Sequence, residues 1–105
     1  MVENVGEALL DQCKEVSRWL KSIAHPVRLK ILCVLLRGEK NVSDLMKECG
    51  TSQSLMSQWL SKMKAEGLLV VRREGHQMLY SVRSDETVAL LAAIRDILSK
   101  RKDVL

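Results

Sequence analysis

From residue 5 to residue 23 the apolar positions fall three and four apart. Val5, Leu9, Cys13, Val16, Leu20 and Ile23 make one stripe, with Glu7, Asp11, Lys14 and Arg18 away from it. That period predicts a first helix over 5–22 with a single apolar face. Ala24-His25-Pro26 interrupts it, and Pro26 suits the first position of a second helix, where its missing N–H has no helical partner anyway. The run PVRLKILCVLLR, 26–37, is apolar on most faces and predicts a central helix, closed by Gly38. Asn41 with Asp44 three residues on has the form of a cap for a short third helix reaching Glu48, closed by Cys49-Gly50. Ser52 predicts the cap of a fourth helix over 53–65, which Gly67 ends.

Two helices joined by a tight glycine-containing turn have the helix-turn-helix pattern. Val42, Leu45 and Met46 on the third helix and Leu55, Leu60 and Met63 on the fourth are the expected packing positions. From Leu68 the period drops to two: LLVVRR and HQMLYSV flank Glu74-Gly75, which predicts a two-residue hairpin turn. Ser84 then caps a last helix over 84–100, with Asp85 and Glu86 at its positive end. Val88, Leu91, Ile94 and Leu98 mark its stripe, and Leu90 and Ile97 widen it beyond what a lone terminal helix needs. The basic tail SKRKDVL is expected to fray. The predicted fold class is mainly α with a small β-hairpin, in the order α-α-α-α-β-β-α.

Composition narrows the class. A chain of 105 residues makes one small domain, 1–105, and 47% hydrophobic with 29% charged residues is a globular balance. No apolar run approaches the roughly 18 residues a membrane span needs. The first residues are acidic and amphipathic rather than basic-then-apolar, and three cysteines are an odd number. Both point to a reduced, cytoplasmic protein. Aromatics are only 3%, so the core is aliphatic, and so small a core favours assembly into a dimer.

The segments HPVRLKIL, GTSQSLMSQWL and EGLLVVRREGHQMLYSV together are more specific than a helix-turn-helix alone. Over residues 21 to 82 the chain resembles the ArsR family of bacterial winged-helix repressors. The resemblance implies a homodimeric winged helix-turn-helix transcriptional regulator. Its first helix, 5–22, and last helix, 84–100, would pair across a two-fold axis. The fourth helix would be the recognition helix, and double-stranded DNA with a pseudo-palindromic operator the partner.

The side chains agree with that partner. Gln53, Ser54, Ser57 and Gln58 are short donor–acceptor groups able to reach base edges in a major groove. Between Lys62 and Arg83 five Lys/Arg stand against two Glu, whereas the first 20 residues carry two basic and four acidic side chains. Lys62, Lys64, Arg72, Arg73 and His76 are therefore the expected phosphate and wing contacts. A polar, basic helix face also occurs as mere solvated surface, which leaves a protein-interaction module of the same fold as the alternative. Where the family commonly has His, this chain has Trp59, with packing inward and facing DNA as its two readings.

Signals for a sensor are mixed. The family's paired-thiolate metal pattern falls on Asn41-Val42-Ser43-Asp44, and the helix over 84–100 has no histidine, so no metal or cofactor is expected. Cys33 resembles the first thiol of a subgroup that responds to reactive sulfur or oxidants. The second thiol of that subgroup falls near Ser99, and Cys13 is a substitute partner if the first helix packs near the second. Cys13, Cys33 and Cys49 read equally as small apolar packing residues, inert if buried. No nucleophile–base grouping or paired carboxylates recur, so an enzyme is not expected.

Overall fold

Pro26 opens the helix around which the rest packs. The computed structural model describes residues 2–101 and places eight elements in them. They are α1 (Val2–Leu10), α2 (Cys13–Ile23), α3 (Pro26–Leu35), α4 (Val42–Cys49), α5 (Gln53–Ala65), β1 (Leu69–Glu74), β2 (Gln77–Val82) and α6 (Asp85–Ser99). The end of the SKRKDVL tail, 102–105, which the sequence predicts to fray, lies outside the described residues. Among the described residues no helix is long and apolar enough to cross a membrane.

The start of α3 is capped by His25, whose Nδ1 accepts the Val27 N–H at 3.1 Å. Ile31, Leu32, Val34 and Leu35 are buried and meet Leu45 and Cys49 of α4, Met56, Leu60 and Met63 of α5, and Leu68 and Leu69. Each such side chain taken out of water contributes about 1.5–3 kcal/mol, so this one aliphatic cluster accounts for most of the driving force. Both caps of the helix-turn-helix form as the sequence predicts. Asn41 Oδ1 accepts the Asp44 N–H at 2.8 Å, and Ser52 Oγ accepts the Leu55 N–H at 3.2 Å. Between them Gly50 takes φ +68°, the left-handed turn that ends α4 and that a side chain would strain.

Three expectations need correction. The helix over 5–22 is two helices, because the Gln12 N–H turns back to Leu9 O and Gln12 O then starts α2 by accepting from Val16. Residues 4–15 are all exposed, so no packing within one chain enforces a continuous rod. The hairpin turn is Gly75-His76, one residue later than Glu74-Gly75, because Glu74 pairs with Gln77. Gly75 takes φ +62°, suiting the first central position of a type II′ turn. On α5 the inward residue is Met56, fully buried, while Leu55 is 50% exposed. Met56, Leu60 and Met63 stand at i, i+4 and i+7, so only they share the face toward α3 and α4.

The sheet also has an edge the period did not reveal. Lys40 exchanges two backbone hydrogen bonds with Tyr80, 2.9 and 3.2 Å, so β2 lies between β1 and the strand-like residue ahead of α4. That bridge ties the hairpin to the helix-turn-helix.

Candidate nucleic-acid interface

With Met56, Leu60 and Met63 turned inward, α5 presents Gln53, Ser54, Ser57, Gln58 and Ser61 to solvent. All four residues expected to read bases are thus exposed on one helix. Ser61, at i+3 from Gln58 and so about 60° from it around the helix, continues that surface. Ser52 caps the helix end nearest Gln53 and Ser54, leaving the first turn to project them. Lys62 and Lys64 lie exposed in the last turn, where cations also oppose the negative end of the helix dipole.

The hairpin carries Arg72, Arg73 and His76, all exposed, to the rim of the same domain. Their situations differ. Arg72 is engaged within the chain: its Nε and Nη2 reach the Glu39 carboxylate at 2.6 and 2.8 Å, and Nη2 reaches Glu74 at 2.8 Å. Donating hydrogen bonds to Glu39, then to Glu74, raises the Arg72 pKa, and accepting from Arg72 lowers that of Glu39. Two carboxylates therefore offset the charge of Arg72. Arg73 donates through Nε to Gly75 O at 3.1 Å and has no carboxylate partner among the described residues. Asn41, while capping α4, donates from Nδ2 to Gln77 Oε1 at 3.3 Å, a further tie between the helix-turn-helix and the wing.

Behind this surface lies a group absent from the expected site residues. Arg28, 7% exposed, reaches both carboxylate oxygens of Glu66 at 2.6 and 2.8 Å and Ser22 O at 2.6 Å. Its guanidinium carbon lies 5.6 Å from the Trp59 ring centre, and the His25 and Trp59 ring centres are 4.5 Å apart. Trp59 is half-buried against the core, so packing, not projection toward DNA, is its arrangement. The bidentate bond lowers the Glu66 pKa and raises that of Arg28. The sequence carried one clue: Arg28 stands three, four and seven residues before Ile31, Leu32 and Leu35, on the buried face of α3.

The three cysteines separate. Cys49 is buried in the core, and that burial pushes its thiol pKa up. Cys33 is exposed although Leu32 and Val34 beside it are buried, and Cys13 is exposed at the start of α2 with Sγ 3.3 Å from Leu9 O. The reading of all three as core residues thus holds for Cys49 and fails for Cys13 and Cys33 in the single chain. Among the described residues no group of three or more His, Cys, Asp or Glu side chains is placed to hold a metal ion.

A capped helix-turn-helix followed by a two-stranded hairpin, with the second helix exposed and polar, defines the class of winged helix-turn-helix DNA-binding domains. Residues 25–70 match the bacterial regulatory proteins of the arsR family. The nodulation protein NolR of Rhizobium meliloti is 38% identical over 87 residues, covering 83% of this chain and 71% of NolR. The crystal structure of the transcriptional repressor BigR from Xylella fastidiosa superposes with a TM-score of 0.79 at 32% identity, covering 87% of this chain and 93% of BigR. A solution structure of a homodimeric winged helix-turn-helix DNA-binding domain from Mycobacterium bovis matches with a TM-score of 0.72 at 32% identity, covering 90% and 84%. The chain belongs to the arsR family of bacterial transcriptional regulators.

Proposed function

We propose that the protein is a homodimeric, sequence-specific DNA-binding repressor, a single domain that acts in the cytoplasm without metal or cofactor. The observation that carries this reading is the exposed face of α5, where Gln53, Ser54, Ser57 and Gln58 stand clear of the core in the first turns. Short amides and hydroxyls in that place can bond base edges in the major groove. Lys62, Lys64, Arg73 and His76 then face phosphates, and Arg72 contributes less while its two carboxylates hold it.

Dimerisation is supported by apolar side chains that one chain leaves uncovered. Val5, Leu9, Leu10 and Leu20 on α1 and α2, and Val88, Ile94, Ile97 and Leu98 on α6, are all exposed. Pairing these helices across a two-fold axis buries them and spaces the recognition helices about 34–36 Å apart, one helical turn of a pseudo-palindromic duplex. The Mycobacterium bovis neighbour is a homodimer. Selection from random duplexes followed by a salt titration tests the reading. A repeated half-site motif and an affinity falling steeply with salt are expected; affinity indifferent to salt rejects the electrostatic interface.

A thiol trigger is the finer part of this reading, and the exposure of Cys33 on an otherwise buried stretch of α3 favours it. Cys13, also exposed, serves as a substitute partner for a bridge only if the helix that carries it packs near α3; Ser99, an alcohol, cannot take that part. Mass spectrometry after polysulfide treatment, beside promoter binding, checks the trigger. Modified Cys33 with weakened binding supports it; unmodified Cys33 with unchanged affinity removes it.

A further inference from the structure

Leu55 is the large apolar side chain of α5 that the core leaves in solvent. Met56, Leu60 and Met63 are buried and Trp59 is half-buried against the core, but Leu55 is 50% exposed. It sits in the first turn, its N–H held by Ser52 Oγ, between Ser54 and Met56. Counting at 100° per residue, Leu55, Gln58 and Lys62 stand at i, i+3 and i+7 and form one stripe. That stripe runs from an apolar tip through an amide to an ammonium, and both Gln58 and Lys62 are exposed. The floor of a major groove offers polar edges throughout except at the C5-methyl of thymine, and a Gln amide matches the N6/N7 edge of adenine. An apolar side chain at the leading turn beside such an amide fits an A·T pair.

We propose that Leu55 is a specificity-determining residue that packs against a thymine methyl in each half-site. The inference rests on the DNA-binding reading above and deepens it. Contact with one methyl group is a factor of about four in affinity, by the free energy of removing one such carbon from water.

Replacing thymine by uracil removes that methyl and nothing else, so uracil scanning of the selected operator is the test, read by fluorescence anisotropy. At one position per half-site, uracil should weaken the wild type by about fourfold and leave L55A unaffected, while L55M keeps part of the sensitivity. Because Leu55 is exposed, the variants should melt with the wild type, and sedimentation should show unchanged assembly. Equal uracil penalties for wild type and L55A reject the role of Leu55 while leaving DNA binding intact. A weakened dimer in L55A assigns the residue to the subunit interface instead. A wild type that selects no duplex sequence removes both this inference and the reading beneath it.

Discussion

The guanidinium of Arg28 and the carboxylate of Glu66 meet through two hydrogen bonds, 2.6 and 2.8 Å long, across 38 residues of sequence. The pair joins the first turn of α3 to the residue that closes α5, and through Ser22 O it also holds the end of α2. The helix proposed to read DNA, α5, is thereby fastened to the segment proposed to carry the dimer contact. Arg28→Ala should lower stability by about 1–2 kcal/mol, a figure kept low because Glu66 remains partly in water. Arg28→Lys should recover only part of it, since an ammonium cannot make the two-pronged bond. The midpoints of urea unfolding give the comparison, and a Lys variant equal to wild type would show that geometry contributes nothing.

The same pair, together with Arg72 and Glu39, contributes to the acid limb of stability. Glu66 and Glu39 both have folded pKa values lowered, chiefly by hydrogen bonds from Arg28 and Arg72. A lowered carboxylate favours the folded state above its unfolded value, about 4.3, and that contribution is lost as pH falls through the lowered folded value. Stability should therefore be level in this respect near neutrality and decline below about pH 4. Glu66→Gln should flatten part of that decline. Thermal melts of both proteins between neutral and acid pH decide the matter.

Thiol reactivity should follow burial. Cys13 and Cys33 are exposed, whereas Cys49 is buried with its pKa raised, so an alkylating reagent should label Cys13 and Cys33 before Cys49 in the folded protein. Cys49 should need denaturant. Peptide mapping after a brief iodoacetamide pulse reads the order directly, and early labelling of Cys49 would show that α4 opens readily.

The two arginines of the wing should not be equivalent in DNA binding. Arg73 lacks the carboxylates that hold Arg72. Arg73→Ala should cost more affinity than Arg72→Ala and reduce the salt dependence by about one charge. Equal losses would mean that Arg72 leaves Glu39 and Glu74 when phosphates approach.

The outer face of α6 offers a test of assembly. Ile94 is 40% exposed in the single chain. If α6 lies at the two-fold axis, Ile94→Asp sets two like charges in a desolvated seam and should give monomers by analytical ultracentrifugation. An intact dimer would move the axis elsewhere.

Local rules explain what could be read without coordinates. Asn41, Ser52 and Ser84 each accept a backbone N–H three residues on, so the starts of α4, α5 and α6 are written within four consecutive residues. The span of α5 and the polar character of its first turns follow from the same short range, as does the order of helices and hairpin. The resemblance carried by the HPVRLKIL, GTSQSLMSQWL and EGLLVVRREGHQMLYSV segments held as well. The hairpin turn was displaced by one residue because a pairing register belongs to two strands at once, and Glu74 closes on Gln77.

The sequence by itself determined the starts of α3, α4, α5 and α6, the helix-turn-helix and the split of charge between the N-terminal segment and the wing. Tertiary structure decided which of two adjacent apolar residues enters the core, since one residue is a 100° rotation and only docking on α3 and α4 makes it Met56 rather than Leu55. It decided that Arg72 is held by carboxylates, that Arg28 grips Glu66, and that Cys33 faces outward. These are relations between residues far apart in the chain, and periodicity describes only neighbours. The apolar stripes of α1, α2 and α6 lie between the two: their sequence announces burial, and of the stripe residues a single folded chain buries only Ile23 and Leu91.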